Sequence, residues 1–242
     1  MAVRFLRQSI ANLTHHLRVV LFNPVCRICG EPLAFYNEVI VCGECLAEVT
    51  PMKGPVCRRC GKELNDDAAL CGDCLLRPPL FDRNLSFGLY GGALRELILL
   101  YKYGELQPLA GFLADCLMGM IENALDKNFD AIVTVPQDPG RKREFDHLAV
   151  MGKIIGRRTG IPYLRHALVK KKATDQQSKL PLKSRLRNLD GAFALKRPRR
   201  LAGKRILLID DVFTTGTTVK RCSELLYPVE ATVTVLTLAR SV

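Results

Sequence analysis

The chain has 242 residues, 48% of them hydrophobic and 7% aromatic, which suits a folded protein with one large domain and a small satellite. No apolar run approaches the roughly 18–20 residues that span a bilayer, and His15, His16 and Arg18 break the N-terminal apolar positions that a signal peptide would leave intact; the expected location is the cytoplasm. Net charge is +12 and uneven: residues 141–205 hold 20 Lys and Arg against four acids, which points to polyanions, either a small phosphate ligand or nucleic acid, and says nothing about fold.

Residues 1–23 carry apolar side chains at helical spacing (Val3, Leu6, Ile10, Leu13, Leu17, then Val20 or Leu21). They read as an amphipathic helix ended before Pro24, an N-terminal element of residues 1–25. Three arginines and no acid would suit a membrane surface, but packing against the next module is the simpler expectation.

Ten cysteines follow, eight of them in four Cys-x-x-Cys pairs. In a reduced compartment that spacing means metal before disulfide, because two thiolates on one tight turn supply half of a tetrahedral zinc site. The pairs belong to a repeat: Cys26-Arg-Ile-Cys29-Gly30-Glu-Pro-Leu33 leads to Cys42-Gly-Glu-Cys45-Leu46, and Cys57-Arg-Arg-Cys60-Gly61-Lys-Glu-Leu64 leads to Cys71-Gly-Asp-Cys74-Leu75. Two copies of one small unit favour sequential sites, Cys26, Cys29, Cys42 and Cys45 for one ion and Cys57, Cys60, Cys71 and Cys74 for the other, although an interleaved cross-brace stays open. With cysteine at every ligand position no place is left for a substrate, so the zinc is structural. It stabilises a segment, residues 26–76, too small to bury a core of its own. Redox use of one pair is the weaker alternative. Cys116 and Cys222 lie in apolar helical patterns and read as core.

Arg77-Pro78-Pro79 forms a stiff linker, and the pattern then changes to alternating helices and strands. Helices are expected over Gly92 to Tyr103, Leu106 to Leu125, Leu148 to Thr159 (with Asp146 near its cap) and Thr217 to Leu226. Strands are expected over Phe129 to Val135, His166 to Val169, Arg205 to Ile209 and Ala231 to Leu238. Lys170 to Asn188 is basic and poor in large apolar residues, and reads as a loop or short helix. The alternation predicts an α/β domain with a mostly parallel sheet flanked by helices.

The stretch from Arg205 to Thr218 carries the chemistry. A buried strand delivers Asp210 and Asp211 at its C-terminal end, where open α/β sheets bind ligands, and Thr214-Thr215-Gly216-Thr217-Thr218 opens a helix. First-turn amides lack intrahelical partners and carry the positive end of the helix dipole, so they suit a phosphate. Gly216 lets the backbone approach closely, and the paired acids suit the 2′- and 3′-hydroxyls of a ribose. Ordinary capping accounts for one acid and one threonine, not for the whole series.

Four apolar residues, two acids, two variable positions and Thr-Thr-Gly-Thr-Thr resemble the signature of type I phosphoribosyltransferases. Together with the Cys-x-x-Cys module, the chain resembles the ComF family over nearly its whole length. Further landmarks are Leu21-Phe-Asn-Pro24, Tyr90-Gly91-Gly92 to Lys102-Tyr103-Gly104, Val133-Thr-Val135-Pro136 and Ala192-Phe193. The resemblance implies a double zinc ribbon followed by a type I phosphoribosyltransferase fold over residues 80–242. It implies binding of phosphoribosyl pyrophosphate with Mg²⁺: Asp210 and Asp211 at the ribose diol, Thr214, Thr215, Gly216, Thr217 and Thr218 at the 5′-phosphate, and Arg141, Lys142 and Arg143 at the pyrophosphate. The segment around Lys170, Lys171 and Lys172 looks like the loop that closes over such a site. Glu144 and Asp146-His147 stand where many relatives have Gly and Asn-Gln, and Thr214 stands where purine-salvage members carry an Asp that acts on the base. His147 is expected to be a cap or surface residue before a proton-transfer group.

Two readings follow from the resemblance. In one, the chain is a phosphoribosyltransferase linked to DNA uptake in natural transformation, its acceptor unnamed by the sequence. In the other, it is a non-catalytic competence factor that contacts single-stranded DNA and other competence proteins, its phosphoribosyl site a sensor. The basic region holds few aromatics (Phe145, Tyr163, Phe193), so DNA contact there should be electrostatic before it is stacking.

Overall fold

The computed structural model describes residues 24–33, 40–66, 68–104, 106–122, 128–138, 145–171 and 191–241. The expected N-terminal helix, Arg141, Lys142, Arg143, and most of the basic segment from Lys172 onward lie outside the described residues.

The two cysteine repeats fold alike, bond for bond. In the first, Cys26 N donates to Glu31 O, Gly30 N to Cys26 O and Leu33 N to Pro24 O; in the second, Cys57 N donates to Lys62 O, Gly61 N to Cys57 O and Leu64 N to Pro55 O. Each tight turn closes on a glycine in the left-handed region, Gly30 at φ +80° and Gly61 at φ +70°, where a side chain would be strained. The second pair of each repeat opens a short helix, α1 (Gly43–Ala47) or α2 (Gly72–Leu76).

The α/β part has a four-stranded, all-parallel sheet in the order β1 (Arg83–Leu89), β6 (Thr232–Arg240), β5 (Arg205–Phe213), β2 (Ala131–Thr134). Beyond β2, residues 162–164 add a short parallel contact, with Ile132 N to Pro162 O at 2.8 Å and Leu164 N to Ile132 O at 2.9 Å. A separate antiparallel pair joins β3 (Leu168–Lys170) and β4 (Phe193–Leu195). The helices are α3 (Gly92–Tyr103), α4 (Leu109–Glu122), α5 (His147–Thr159) and α6 (Thr217–Leu226).

Ile206 to Ile209 of β5 and Val235, Leu236 and Leu238 of β6 are fully buried, as strands covered on both faces must be. Tyr101, Leu113, Leu117, Met151 and Ile155 bring the apolar stripes of α3, α4 and α5 onto them. The helix over 92–103 and that over 217–226 match the spacing, and Asp146 caps α5 through Oδ1, which accepts from Ala149 N at 3.0 Å.

Two departures matter for function. β5 does not stop at Ile209: the ladder with β6 continues through Asp210, Val212 and Phe213, so the acid pair lies inside the strand. And β1, which the apolar pattern did not reveal, carries buried Asn84 and Ser86. Asn84 Nδ2 donates to Cys60 O at 3.1 Å, and Ser86 Oγ pairs with Thr237 Oγ1 at 2.8 Å. Polar residues here face the zinc module and the next strand, with each group satisfied.

Candidate functional site

Because successive side chains of a strand leave opposite faces, Asp210 and Asp211 part company. Asp211 turns inward. Its Oδ2 forms an ion pair with Lys102 Nζ, at the end of α3, and accepts from His147 Nε2 at 3.0 Å, at the start of α5. Gln137 Nε2, in the loop after β2, lies 2.6 Å from His147 Nδ1, which suits an imidazole that donates from Nε2 and accepts at Nδ1. Tyr101 donates its hydroxyl to the His147 carbonyl at 2.6 Å and sets its ring across the imidazole at 79°. Three loops and helices thus converge on one carboxylate.

Asp210 is half-buried on the other face, where its charge raises the Cys222 thiol of α6 further, beyond what burial does. Its Oδ1 accepts the Asp211 amide at 2.9 Å. The pair is electrostatically unequal. Burial would raise Asp211, but the Lys102 ammonium and His147 hold it well below the ordinary carboxylate range. Burial, then the negative Asp211 beside it, pushes Asp210 up to about 7. Burial alone would lower Lys102, and the Asp211 charge more than offsets it.

After Phe213 the chain makes the turn anticipated from the sequence. Thr214 and Thr215 are exposed, and Thr215 Oγ1 lies 2.6 Å from Thr217 Oγ1. Gly216, which has no side chain to cap with, sits at φ +70° as the N-cap of α6. The helix thus starts behind a glycine flanked by threonines, the kind of sequence at which a helix N-terminus can receive an anion. Phe213 forms the floor: a Cβ on Gly216 would lie 2.9 and 3.0 Å from two ring carbons and nearer still to Cζ.

His147 is thus not a cap or surface residue but a buried bridge, 3% exposed, and the cap is its neighbour Asp146. Lys170 does not stand out with its basic neighbours. Its ammonium meets Asp138 Oδ2 at 2.8 Å and lies 5.8 Å from the Phe193 ring centroid, whereas Lys171 is exposed. Sequence reading missed Lys102 and Gln137. The only signal was the Lys102-Tyr103-Gly104 landmark, since one polar residue ending a helix leaves no periodic trace.

The metal centres follow the repeat. Cys26, Cys29, Cys42 and Cys45 bring their sulfurs within 4.8 Å of one another, and so do Cys57, Cys60, Cys71 and Cys74. This is the sequential grouping, and the interleaved alternative is overturned. Sulfur pairs stand 3.7–3.8 Å apart (Cys26–Cys45, Cys29–Cys42, Cys60–Cys71). A tetrahedron with metal–sulfur bonds of about 2.3 Å has edges of about 3.8 Å, so the sites fit zinc. Amides turn toward sulfur as well, Cys42 N to Cys26 Sγ and Cys71 N to Cys57 Sγ, each at 3.3 Å. Burial opposes ionisation of Cys26 and Cys57, yet neighbouring amides bring both thiols down to about 6, whereas burial raises Cys45, Cys60 and Cys74 in the same clusters.

Residues 17–75 match the family model of the double zinc ribbon domain. Over 208 residues the chain is 30% identical to DNA utilization protein YhgH of Salmonella typhi, covering 84% of this chain and 90% of that one. It is 31% identical to competence protein F of Haemophilus influenzae, covering 77% and 83%. The chain belongs to the ComF family. Among solved structures, adenine phosphoribosyltransferase from Thermoanaerobacter pseudethanolicus is a distant likeness, 15% identical over 58% of this chain and 83% of that one, with a TM-score of 0.35. The ComF pattern of a structural zinc module ahead of a parallel α/β sheet is the architecture described above, and no helix among the described residues is long and apolar enough to cross a membrane.

Proposed function

We propose that this chain binds phosphoribosyl pyrophosphate with Mg²⁺ at the C-terminal end of β5 and serves DNA uptake through that site. One observation carries the reading: a carboxylate-bearing strand runs through one short threonine turn into a glycine-led helix start flanked by threonines. Thr214 to Thr218 receive the 5′-phosphate, with Gly216 admitting it to the backbone. Asp210 alone of the two acids, half-buried and adjacent, accepts from the ribose diol; Asp211, turned to the opposite face, has its carboxylate held by Lys102 and His147 and supports its neighbour from within. Arg141, Lys142 and Arg143 follow the loop of Gln137 and Asp138 and provide charge for the pyrophosphate. Bound Mg²⁺ would supply charge neutralisation for the diphosphate as a leaving group. His147, enclosed by Gln137 and Asp211, orients the acid instead of acting on an acceptor.

The link to DNA rests on the relatives' names, DNA utilization protein and competence protein F, and on charge. Lys196, Arg197, Arg199 and Arg200 are all exposed around a single 3₁₀ turn, Pro198–Arg200, and form a compact basic spot suited to a phosphate backbone.

Calorimetry with phosphoribosyl pyrophosphate and Mg²⁺ tests the site. Asp210→Asn should weaken binding about tenfold or more, the loss expected for charge-assisted hydrogen bonds. Equal affinity in wild type and variant removes the assignment. Gel shifts with single-stranded DNA, run across salt on wild type and Arg199→Glu/Arg200→Glu, test the second half. A response flat in salt counts against backbone contact.

A further inference from the structure

Phe213, the floor of the threonine turn, is not held by the α/β part alone. Two lines of contact reach it from the second zinc hairpin. Arg240, at the end of β6 and 9% exposed, donates from Nη1 to the Cys60 carbonyl at 2.8 Å and stacks its guanidinium 4.8 Å from the Phe213 ring centroid. Arg59, between the cysteines of the same turn, donates to the Phe81 carbonyl at 2.8 Å, and Phe81 packs edge-on against Phe213 with centroids 6.0 Å apart. Asn84 ties the knot, giving Nδ2 to Cys60 O and its amide to Arg59 O at 2.8 Å. Among the described residues, no hydrogen bond or ring contact joins the first cysteine cluster to Phe213, Phe81 or Arg240.

We propose that Arg240 is a positioning residue for the anion-binding turn, and that through it zinc at Cys57, Cys60, Cys71 and Cys74 and anion binding at Thr214 to Thr218 reinforce each other. The physics is short-range. Gly216 rests on the Phe213 ring with no clearance, so the ring's position decides where the turn's amides point. Cys60 is at once a ligand and the residue whose carbonyl holds Arg240. An ordered zinc hairpin therefore fixes the guanidinium, the guanidinium fixes the ring by cation–π contact, and the ring fixes the turn. Among the described residues, the buried Arg240 Nε finds no hydrogen-bond partner, a cost that plain packing would not require. The first zinc site supplies a control built into the same chain.

The inference rests on the phosphoribosyl reading for its ligand, and the test separates the two. In calorimetry with phosphoribosyl pyrophosphate and Mg²⁺, Cys71→Ser should weaken binding about tenfold, a typical coupling between sites, and the equivalent Cys42→Ser less than about twofold. By reciprocity the ligand should raise the affinity for one zinc, not both, protecting it in equilibrium competition with a chromogenic chelator. Arg240→Met, which keeps the stem, should abolish that protection, and Arg240→Lys, which keeps charge without a planar face, should restore only part of it. Equal effects of Cys42→Ser and Cys71→Ser, or protection unchanged in Arg240→Met, overturn the proposal. If wild type binds no phosphoribosyl pyrophosphate, the functional reading fails and the coupling is read without ligand. The chain has no tryptophan, so Thr214→Trp places a sole indole on the turn. Its emission should change on loss of the second zinc and not the first, and an emission indifferent to the second zinc sinks the coupling.

Discussion

Gly216→Ala is the sharpest test of how the turn is built. The added methyl meets two costs. The backbone stands at φ +70°, in the left-handed region where a residue with Cβ is disfavoured by about 1–2 kcal/mol. The methyl also falls 2.9 and 3.0 Å from two carbons of the Phe213 ring, closer than packed carbons approach. That ring has little room to yield, with Phe81 edge-on at 6.0 Å and Arg240 over its face at 4.8 Å. Overpacking of this kind costs about 1–3 kcal/mol, and the two contributions together predict a loss of about 2–5 kcal/mol. For a total stability of about 5–15 kcal/mol that is a large loss, read as a urea midpoint lowered by about 1 M or more. Zinc is kept in excess so that metal release does not add a second transition. Phe213→Leu in the same background separates the causes: it relieves the clash and leaves the dihedral, so the double-mutant cycle should show about 1–2 kcal/mol of favourable coupling. A Gly216→Ala cost under about 0.5 kcal/mol, or a cycle with no coupling, refutes the account of the turn.

Removing the ammonium by Lys102→Met leaves the buried Asp211 carboxylate with only His147 and the Val212 amide, and breaking a buried pair from one side costs about 3–5 kcal/mol, measurable by urea unfolding at pH 7. His147→Gln, which can still donate to Asp211, should cost less than His147→Ala in the same assay. The depressed Asp211 contributes stability that is present above its unfolded value near 4 and is lost as pH falls through its lower folded value. Asp210 has the opposite sign: raised to about 7, it binds an extra proton in the folded state, so stability should rise as pH is lowered from 7 toward 4. A ligand that needs Asp210 ionised should bind more tightly as pH increases to about 7, with proton release, and Asp210→Asn should abolish the slope that belongs to this group. A strong chelator should loosen the cysteine hairpins, seen as loss of their protection from proteolysis, because each gathers its four sulfurs around one metal position.

Much of this architecture was legible in the residues because it rests on local chemistry. The Cys-x-x-Cys-Gly repeat dictates two identical turns, whatever packs against them. The 92–103 and 217–226 helices carry continuous apolar stripes, and Asp146 announces the start of α5. What escaped was contact between elements distant in sequence. β1 hid because its buried face carries Asn84 and Ser86, polar side chains that pair with Cys60 and Thr237. β5 was cut short because aspartates are poor strand formers, yet β6 supplies ladder partners to Phe213. His147 read as surface because nothing local reveals that Gln137 and Asp211 enclose it. Lys102 and Arg240 read as two cations among 36.

The extension of β5 changes how the twin acids work. Had the strand ended at Ile209, Asp210 and Asp211 would sit in a loop free to turn both carboxylates toward one sugar. Inside the ladder, alternation forbids this, and the two diverge in charge as well as direction. Asp211 is stabilised as an anion by Lys102 and His147, and that fixed charge adds to burial, the larger cause, in raising Asp210. The inward acid therefore does two jobs: it ties α3 and α5 to the strand end, and it tunes its neighbour to ionise near neutrality. Asp211→Asn should lower the titration of Asp210 only part of the way, burial keeping it above the ordinary carboxylate range, while loosening Lys102. A carboxyl-labelled NMR titration that finds Asp210 unchanged in that variant would show burial alone to be the cause, and the pair to be two independent groups.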